Sequence, residues 1–443
     1  MGHDRLITKG ARVTDARYAK SEAQLERARR TIPLGAQTFS KSITQFPLGA
    51  SPYFAARAKG SRLWDVDGNE YADFINALCS VTLGYADEDV NGAVEKQLKD
   101  GTIFSLSSSL EAECAERIVR LVPCAEMVRF GKNGSDATSG AIRIARAATG
   151  RDHVLVCGYH GWQDWYIGST ARNLGVPEAT QALTHTFPYD DLSALAALLD
   201  RLEGQVAAVI LEPMNVRFPS EGYLKGVQTL TRAAGAVLIF DETITGFRYA
   251  KGGAQELLGV TPDLCTLGKG IANGFPLSAV AGRADLMAYM EEVFFSFTMG
   301  GEALSLAAAC AAMDKLEREP VVETMAARGG ELIAGAEALV EKHGLSHVLS
   351  LAGHPSWSFL MIADQPNATA FELKTLFLQE VFARGVLTLG THNMSYAHTP
   401  ADVADLLSAY DQVFPILASA LAENDLHARL RCEPLKPLFK VRG

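Results

Sequence analysis

Lys269 lies in the stretch "LGKGIANGFP", a single cation between Gly268 and Gly270 ahead of an apolar Gly-Phe-Pro turn. Twenty-eight residues earlier, "AVLIFDETITGFR" places Asp241 and Glu242 where an apolar run ends. An amine held against apolar walls gives up its proton more easily, which is what Schiff-base formation with a carbonyl compound requires. A carboxylate emerging from a buried strand must find a partner, because an unpaired buried charge is costly. A salt bridge or a helix cap would serve, and so would the protonated nitrogen of a bound heterocycle.

Two further stretches add to this pair. "VRFGKNGSDATSGAIRIARAATG" reads as a strand, a loop with Gly134 and Ser135, and a helix. Free amides at a helix start, beside a glycine and a hydroxyl, suit a phosphate, although Ser and Asp are also ordinary helix caps. The nucleotide pattern G-x-x-x-x-G-K-S/T is absent there, and Gly268, Gly270 and Gly274 miss the dinucleotide spacing. "CGYHGWQDW" offers Tyr159, His160 and Trp162 as flat faces for a planar ring, or as simple packing. Phosphate, ring nitrogen, aldehyde and ring face are the four needs of pyridoxal 5'-phosphate.

The elements that must position these residues follow from pattern. Between about residues 125 and 285, apolar runs ("MVRF", "HVLVC", "VAAVILE", "AVLIFDE", "LCTLG", "SAVAG") alternate with helical periodicity, as in "LSALAALLDRLEG". Such alternation predicts an α/β fold with a mainly parallel sheet covered on both faces, with ligands beyond the strands' carboxyl ends. After about residue 320, long amphipathic helices surround short strands, predicting a smaller α+β domain. Residues 1–60 read as an N-terminal helix and arm belonging with that small domain, 61–315 as the large domain and 316–443 as the small one. Asp67-Gly68 between two apolar runs predicts a hairpin.

Composition narrows the class. With 443 residues, 48% hydrophobic, 21% charged and a net charge of -10, the chain reads as folded, with no nucleic-acid surface. No apolar run approaches a membrane span, and the charged start lacks a signal-peptide core. Seven scattered cysteines without a C-x-x-C pair suggest neither a metal site nor a disulfide framework and fit a reducing cytoplasm.

The stretches "LWDVDGNEYADF", "EMVRFGKNGSDATSGAIRIARAATGRD", "GYHGW", "LEP", "LIFDETITGFR", "PDLCTLGKGIANGFPLSAVAGRADLM" and "FTMGGEALSLAA" resemble the class III aminotransferases of fold type I, in particular the glutamate-1-semialdehyde 2,1-aminomutases. The resemblance implies a fold type I transferase using pyridoxal 5'-phosphate. Lys269 would carry the cofactor and then move a proton, and Asp241 would pair with its ring nitrogen. Gly134 and Ser135 would hold the phosphate, Tyr159 would face the ring, and Asn215 in "LEPMN" would contact the ring hydroxyl. Thr298 matches a threonine that reaches the neighbouring subunit's phosphate, implying a homodimer with shared active sites.

The substrate side departs from that pattern. "TFSKSI" puts Lys41 where the aminomutases carry an arginine, Leu78 stands for a pocket tryptophan, and "LGTHNMSYAHTPAD" lacks the family's glutamate. A lysine cannot offer arginine's planar fork. Lys41, His392 and Asn393 are the candidates for substrate recognition, Lys41 being equally readable as a surface charge. The expected function is therefore amino transfer from an amino acid to an aldehyde or ketone in a biosynthetic pathway. The aminomutase reaction and a binding module without catalysis are the alternatives.

Overall fold

The chain's buried strands form where β-branched and aliphatic runs can be covered from two sides. A computed structural model describes residues 16–437. Near the start, β1 (Ala55–Lys59), β2 (Arg62–Asp65) and β3 (Glu70–Asp73) form an antiparallel meander, with Gly68 at φ +93° in the expected turn.

The large sheet follows, built from β4 (Met127–Gly131), β5 (His153–Cys157), β6 (Thr184–Thr186), β7 (Val206–Leu211), β8 (Val237–Glu242), β9 (Leu264–Leu267) and β10 (Ser278–Gly282) in the order β4-β10-β9-β8-β7-β5-β6. Pairs among β5 to β9 run parallel, while β10 runs antiparallel to β9 and β4. Every residue of β7 and β8 is buried, as expected for strands with helices on both faces. Helix α1 (Gly134–Thr149) covers one face through Ala137, Ala141, Ile142, Ile144 and Ala145.

Helix α2 (Ala303–Arg318) leads to α3 (Val321–Lys342), after which β11 (Leu349–His354), β12 (Trp357–Ile362), α4 (Ala370–Ala383), β13 (Val386–Leu387), β14 (Thr391–Asn393) and α5 (Pro400–Glu423) build the small α+β domain. Its three-stranded sheet is antiparallel, in the order β11-β12-β14. β13 instead pairs in parallel with β3, making a fourth strand for the N-terminal meander. The meander is thus tied to the C-terminal part of the chain. A large domain beginning at residue 61 therefore starts too early, because β2 and β3 hydrogen-bond away from the seven-stranded sheet.

Candidate active site

Asp241 stands at the carboxyl end of β8, 5% exposed. One carboxylate oxygen faces His160 Nδ1 at 2.8 Å, and the other accepts from Thr266 Oγ1 at 3.0 Å and the Thr243 amide at 3.1 Å. Burial alone would raise this carboxyl, yet the bonds from His160 and Thr243 hold it below its usual range. Since a carboxylate only accepts, the imidazole proton sits on Nδ1. His160 Nε2 is then left buried without a partner. The sequence suggested His160 as a stacking surface; its ring does lie parallel to Trp165, 6.5 Å away, but its main contact is Asp241.

Lys269 follows β9, the neighbour of β8, and Thr266 is in register with Asp241. Burial lowers the lysine's proton affinity, the Cys79 thiol and the Glu212 and Asp241 carboxylates oppose this, and Arg248 reinforces it. The two glycines flanking Lys269 answer to crowding. A Cβ on Gly268 would lie 3.1 Å from Thr243 Cγ2, and one on Gly270 would overlap the Thr82 hydroxyl. Lys269 itself has φ +40°, a left-handed conformation costing a side chain of its type roughly 1–2 kcal/mol.

A second strained segment lies against the first. Asn76, Ala77, Leu78 and Cys79 all have positive φ, from +44° to +68°. Four consecutive non-glycine residues in this region persist only where the surroundings over-determine them. Asp73 Oδ1 accepts from the amides of Ile75 (2.7 Å) and Asn76 (3.1 Å), and Asn76 Nδ2 donates to the Asn393 carbonyl. Asn393 Nδ2 returns a bond to the Ile75 carbonyl at 2.6 Å.

At the start of α1, Asn133 and Asp136 form a capping box, and the first amides of the helix, those of Gly134 and Ser135, have no acceptor within the helix. A Cβ on Gly134 would sit 3.0 Å from Thr243 Cγ2, and one on Gly161 would overlap the Ser135 hydroxyl. Ser135 Oγ accepts from the Trp162 amide at 3.2 Å, so "GYHGW" closes directly over the helix start. Ser278 Oγ, which a Cβ on Gly131 would crowd at 2.6 Å, is buried and unpartnered.

Glu212, in "LEP", is a site residue to which the sequence gave no role. Its Oε2 accepts from the Tyr159 amide at 3.0 Å and Asn215 Nδ2 at 2.9 Å. Burial and the nearby Asp241 charge raise its carboxyl. The two buried carboxyl groups are thus pushed in opposite directions, Glu212 up and Asp241 down. Asn215 thus spends its amide on Glu212. Tyr159 is half exposed, with its ring edge-on to Tyr166.

The remaining sequence candidates lie farther out or serve elsewhere. Thr298 is exposed in the turn closed by the Gly300 amide on the Phe297 carbonyl, and Lys41 is exposed in a short helical turn. His392 is fully buried, with Nδ1 bonded to Ser358 Oγ (2.9 Å) and Nε2 to Tyr410 Oη (2.7 Å). Burial lowers its pKa to about 3. Both ring nitrogens are taken, so His392 supports the small domain and is corrected from a substrate contact to a core residue. Asn393 is buried too, and its Nδ2 braces the left-handed turn.

An ionised carboxylate at a strand end, a lysine of lowered proton affinity on the neighbouring strand's end, helix-start amides beside closely packed glycines and a half-exposed tyrosine ring match the chemistry of pyridoxal 5'-phosphate.

Comparisons with known proteins agree. The sequence model of the family "Aminotransferase class-III" matches residues 47–407. The chain is 37% identical over 434 residues to a glutamate-1-semialdehyde 2,1-aminomutase of Symbiobacterium thermophilum, covering 91% of this chain and 99% of the relative. It is 33% identical over 403 residues to a 3-aminobutyryl-CoA aminotransferase of Cloacimonas acidaminovorans, covering 89% and 96%. Among solved structures, the FumI protein of Sphingopyxis sp. MTA144, described in its PLP internal aldimine form, superposes with a TM-score of 0.86 at 30% identity, covering 94% of this chain and 99% of that one.

Proposed function

Because the chain belongs to the class-III aminotransferase family, whose members work with pyridoxal 5'-phosphate, we propose that Lys269 and Asp241 are the catalytic pair of an aminotransferase that carries an amino group from an amino acid to an aldehyde or ketone. The observation that carries this reading is the pairing of β8 with β9, which sets an ionised, triply bonded Asp241 beside the strand that delivers Lys269. When bound, the cofactor supplies an aldehyde that accepts the amino group and a ring that stores the electron pair left on the substrate carbon.

The chain's own residues do the rest. Asp241 would pair with the cofactor's ring nitrogen and keep it charged. Gly134 and Ser135 would hold the phosphate with helix-start amides, and Tyr159 would face the ring. Lys269 Nζ, neutral more readily than a solvated lysine, takes the proton from the substrate carbon and returns it elsewhere. Glu212, held by Asn215, braces the Tyr159 backbone. Lys41 is kept as the candidate cation for an anionic acceptor.

A homodimer is part of the proposal. Phe294, Phe297 and Met299 on the Thr298 segment are exposed, as are Ile103, Phe104 and Leu106 on the segment joined to it by the Ala303 amide on the Thr102 carbonyl. Exposed apolar clusters of this kind mark interfaces, which supports Thr298 completing a neighbour's phosphate site. Cytoplasmic residence and a biosynthetic role are proposed as well; six of the seven cysteines are buried as free thiols. Among the described residues, no helix is long and apolar enough to cross a membrane.

The test loads the protein with the pyridoxamine form of the cofactor and screens carbonyl compounds for return of the aldehyde form. An acceptor that restores it and yields an amine supports the proposal. Isomerisation of glutamate 1-semialdehyde with no added acceptor would replace it with the aminomutase reaction, which the Symbiobacterium relative's name makes the second reading.

A further inference from the structure

Arg248, the last residue of "DETITGFR", is 1% exposed and is among the largest fully buried side chains. Its Nη1 donates to the carbonyls of Met394 (2.6 Å) and Ser356 (3.3 Å). Its Nη2 donates to the Cys79 carbonyl (3.1 Å) and the Thr82 hydroxyl (3.5 Å). None of these acceptors is a carboxylate, so among the described residues the charge is held by carbonyl and hydroxyl dipoles.

The acceptors come from two directions. Ser356 lies in the turn between β11 and β12, and Met394 follows β14, so one side of the guanidinium grips the small-domain sheet. Cys79 ends the left-handed Asn76–Cys79 turn, and the Thr82 hydroxyl fills the space that a Cβ on Gly270 would need. The other side therefore grips the wall on which the Lys269–Gly270 backbone rests. A planar fork can serve both sides at once, which an ammonium cannot.

The ionisable groups facing Lys269 are the Cys79 thiol, the Glu212 and Asp241 carboxylates and Arg248. The carboxylates favour the ammonium form; Arg248 is the cation that opposes them.

We propose that Arg248 is a positioning residue for Lys269: it clamps the Asn76–Cys79 turn and Thr82 against the Lys269–Gly270 backbone, ties them to the small-domain sheet, and sets its cation against the carboxylates around the amine. This rests on Lys269 being the working lysine, and the test uses the cofactor-free chain so that the two ideas fail separately.

Arg248→Met and Arg248→Lys are compared with the parent chain by two measurements. Amide hydrogen exchange is followed on peptides spanning residues 75–84 and 268–273. The pH dependence of Lys269 acylation by acetic anhydride is followed by peptide mass spectrometry. In Arg248→Met, exchange in both peptides should accelerate tenfold or more relative to the large sheet, and the acylation midpoint should move to higher pH. Arg248→Lys should show the faster exchange with a midpoint near the parent's, since it keeps the charge and loses the fork. A uniform rise in exchange across β7, β8 and β9, or an unmoved midpoint in folded Arg248→Met, overturns the proposal. Should Arg248→Met not fold, unchanged exchange at 75–84 in Arg248→Lys overturns the clamp. Borohydride trapping of the cofactor on a different lysine would instead refute the reading of Lys269 and leave the exchange results standing.

Discussion

Replacing His160 by leucine and, separately, by asparagine isolates the hydrogen bond that keeps Asp241 ionised. The two replacements share the same branching at Cγ, leucine being the bulkier and more apolar, and both give up the ring that packs near Trp165 and Tyr166. Only asparagine can put an N–H where Nδ1 stood. Asp241 has three donors, and the one from His160 spans 2.8 Å. A buried bond to a charged group contributes about 1.5–3 kcal/mol, so the leucine variant should be less stable than the asparagine variant by that amount at pH 7. The sign follows from linkage. Asp241 is held below the ordinary aspartate value of 3.8, so its contribution is full above that value and is lost as pH falls through the lower folded-state value. The two stability curves should therefore diverge at neutral pH and converge in acid. Chemical denaturation of the cofactor-free chain between pH 3 and 8 measures this. Cofactor affinity should fall in parallel, by roughly tenfold to a hundredfold in the leucine variant. Equal stability of the two variants at pH 7 would refute the argument that His160 sustains the Asp241 charge.

Other expectations come from single contacts. Gly161→Ala, with φ +103° and a Cβ overlapping Ser135 Oγ, should lose about 1–3 kcal/mol from backbone strain alone and bind inorganic phosphate more weakly; Gly150→Ala, at φ +65° with open space around it, should cost no more than about 1–2 kcal/mol and leave phosphate binding intact by calorimetry. Glu212→Gln keeps an oxygen for the Tyr159 and Asn215 donors, so its stability should match the parent's near pH 4. Because burial raises the parent's carboxyl, the parent loses stability as pH climbs above the ordinary carboxylate range, and denaturation at pH 8 should find the variant relatively more stable. Phe297→Asp should shift the sedimenting species toward monomer and weaken cofactor retention, whereas Lys41→Ala should raise KM for an anionic acceptor and leave kcat nearly unchanged.

Much of the fold was legible because its central strands are buried on both faces and so read as unbroken apolar runs: Val206–Leu211, Val237–Glu242 and Leu264–Leu267 fall where the sequence placed them. Thr184–Thr186 escaped, being a three-residue polar edge strand with no hydrophobic signal. The Asp67-Gly68 hairpin was readable from its turn chemistry, but its allegiance to β13 depends on a pairing more than three hundred residues away. Lys269 and Asp241 could be picked out because each ends an apolar strand. Glu212 and Arg248 could not, since their roles come from what long-range packing brings to them. His392 misled because a histidine in a polar loop sequence reads as accessible; only the fold reveals Ser358 and Tyr410 on either side of its ring.

The measurement that bears most directly on the catalytic assignment is borohydride reduction of the cofactor-loaded protein, followed by peptide mass spectrometry. The cofactor's mass should appear on the peptide containing Lys269, and the visible absorbance should be absent from Lys269→Ala reconstituted under the same conditions. Label on any other lysine, or an unchanged spectrum in Lys269→Ala, would contradict the assignment.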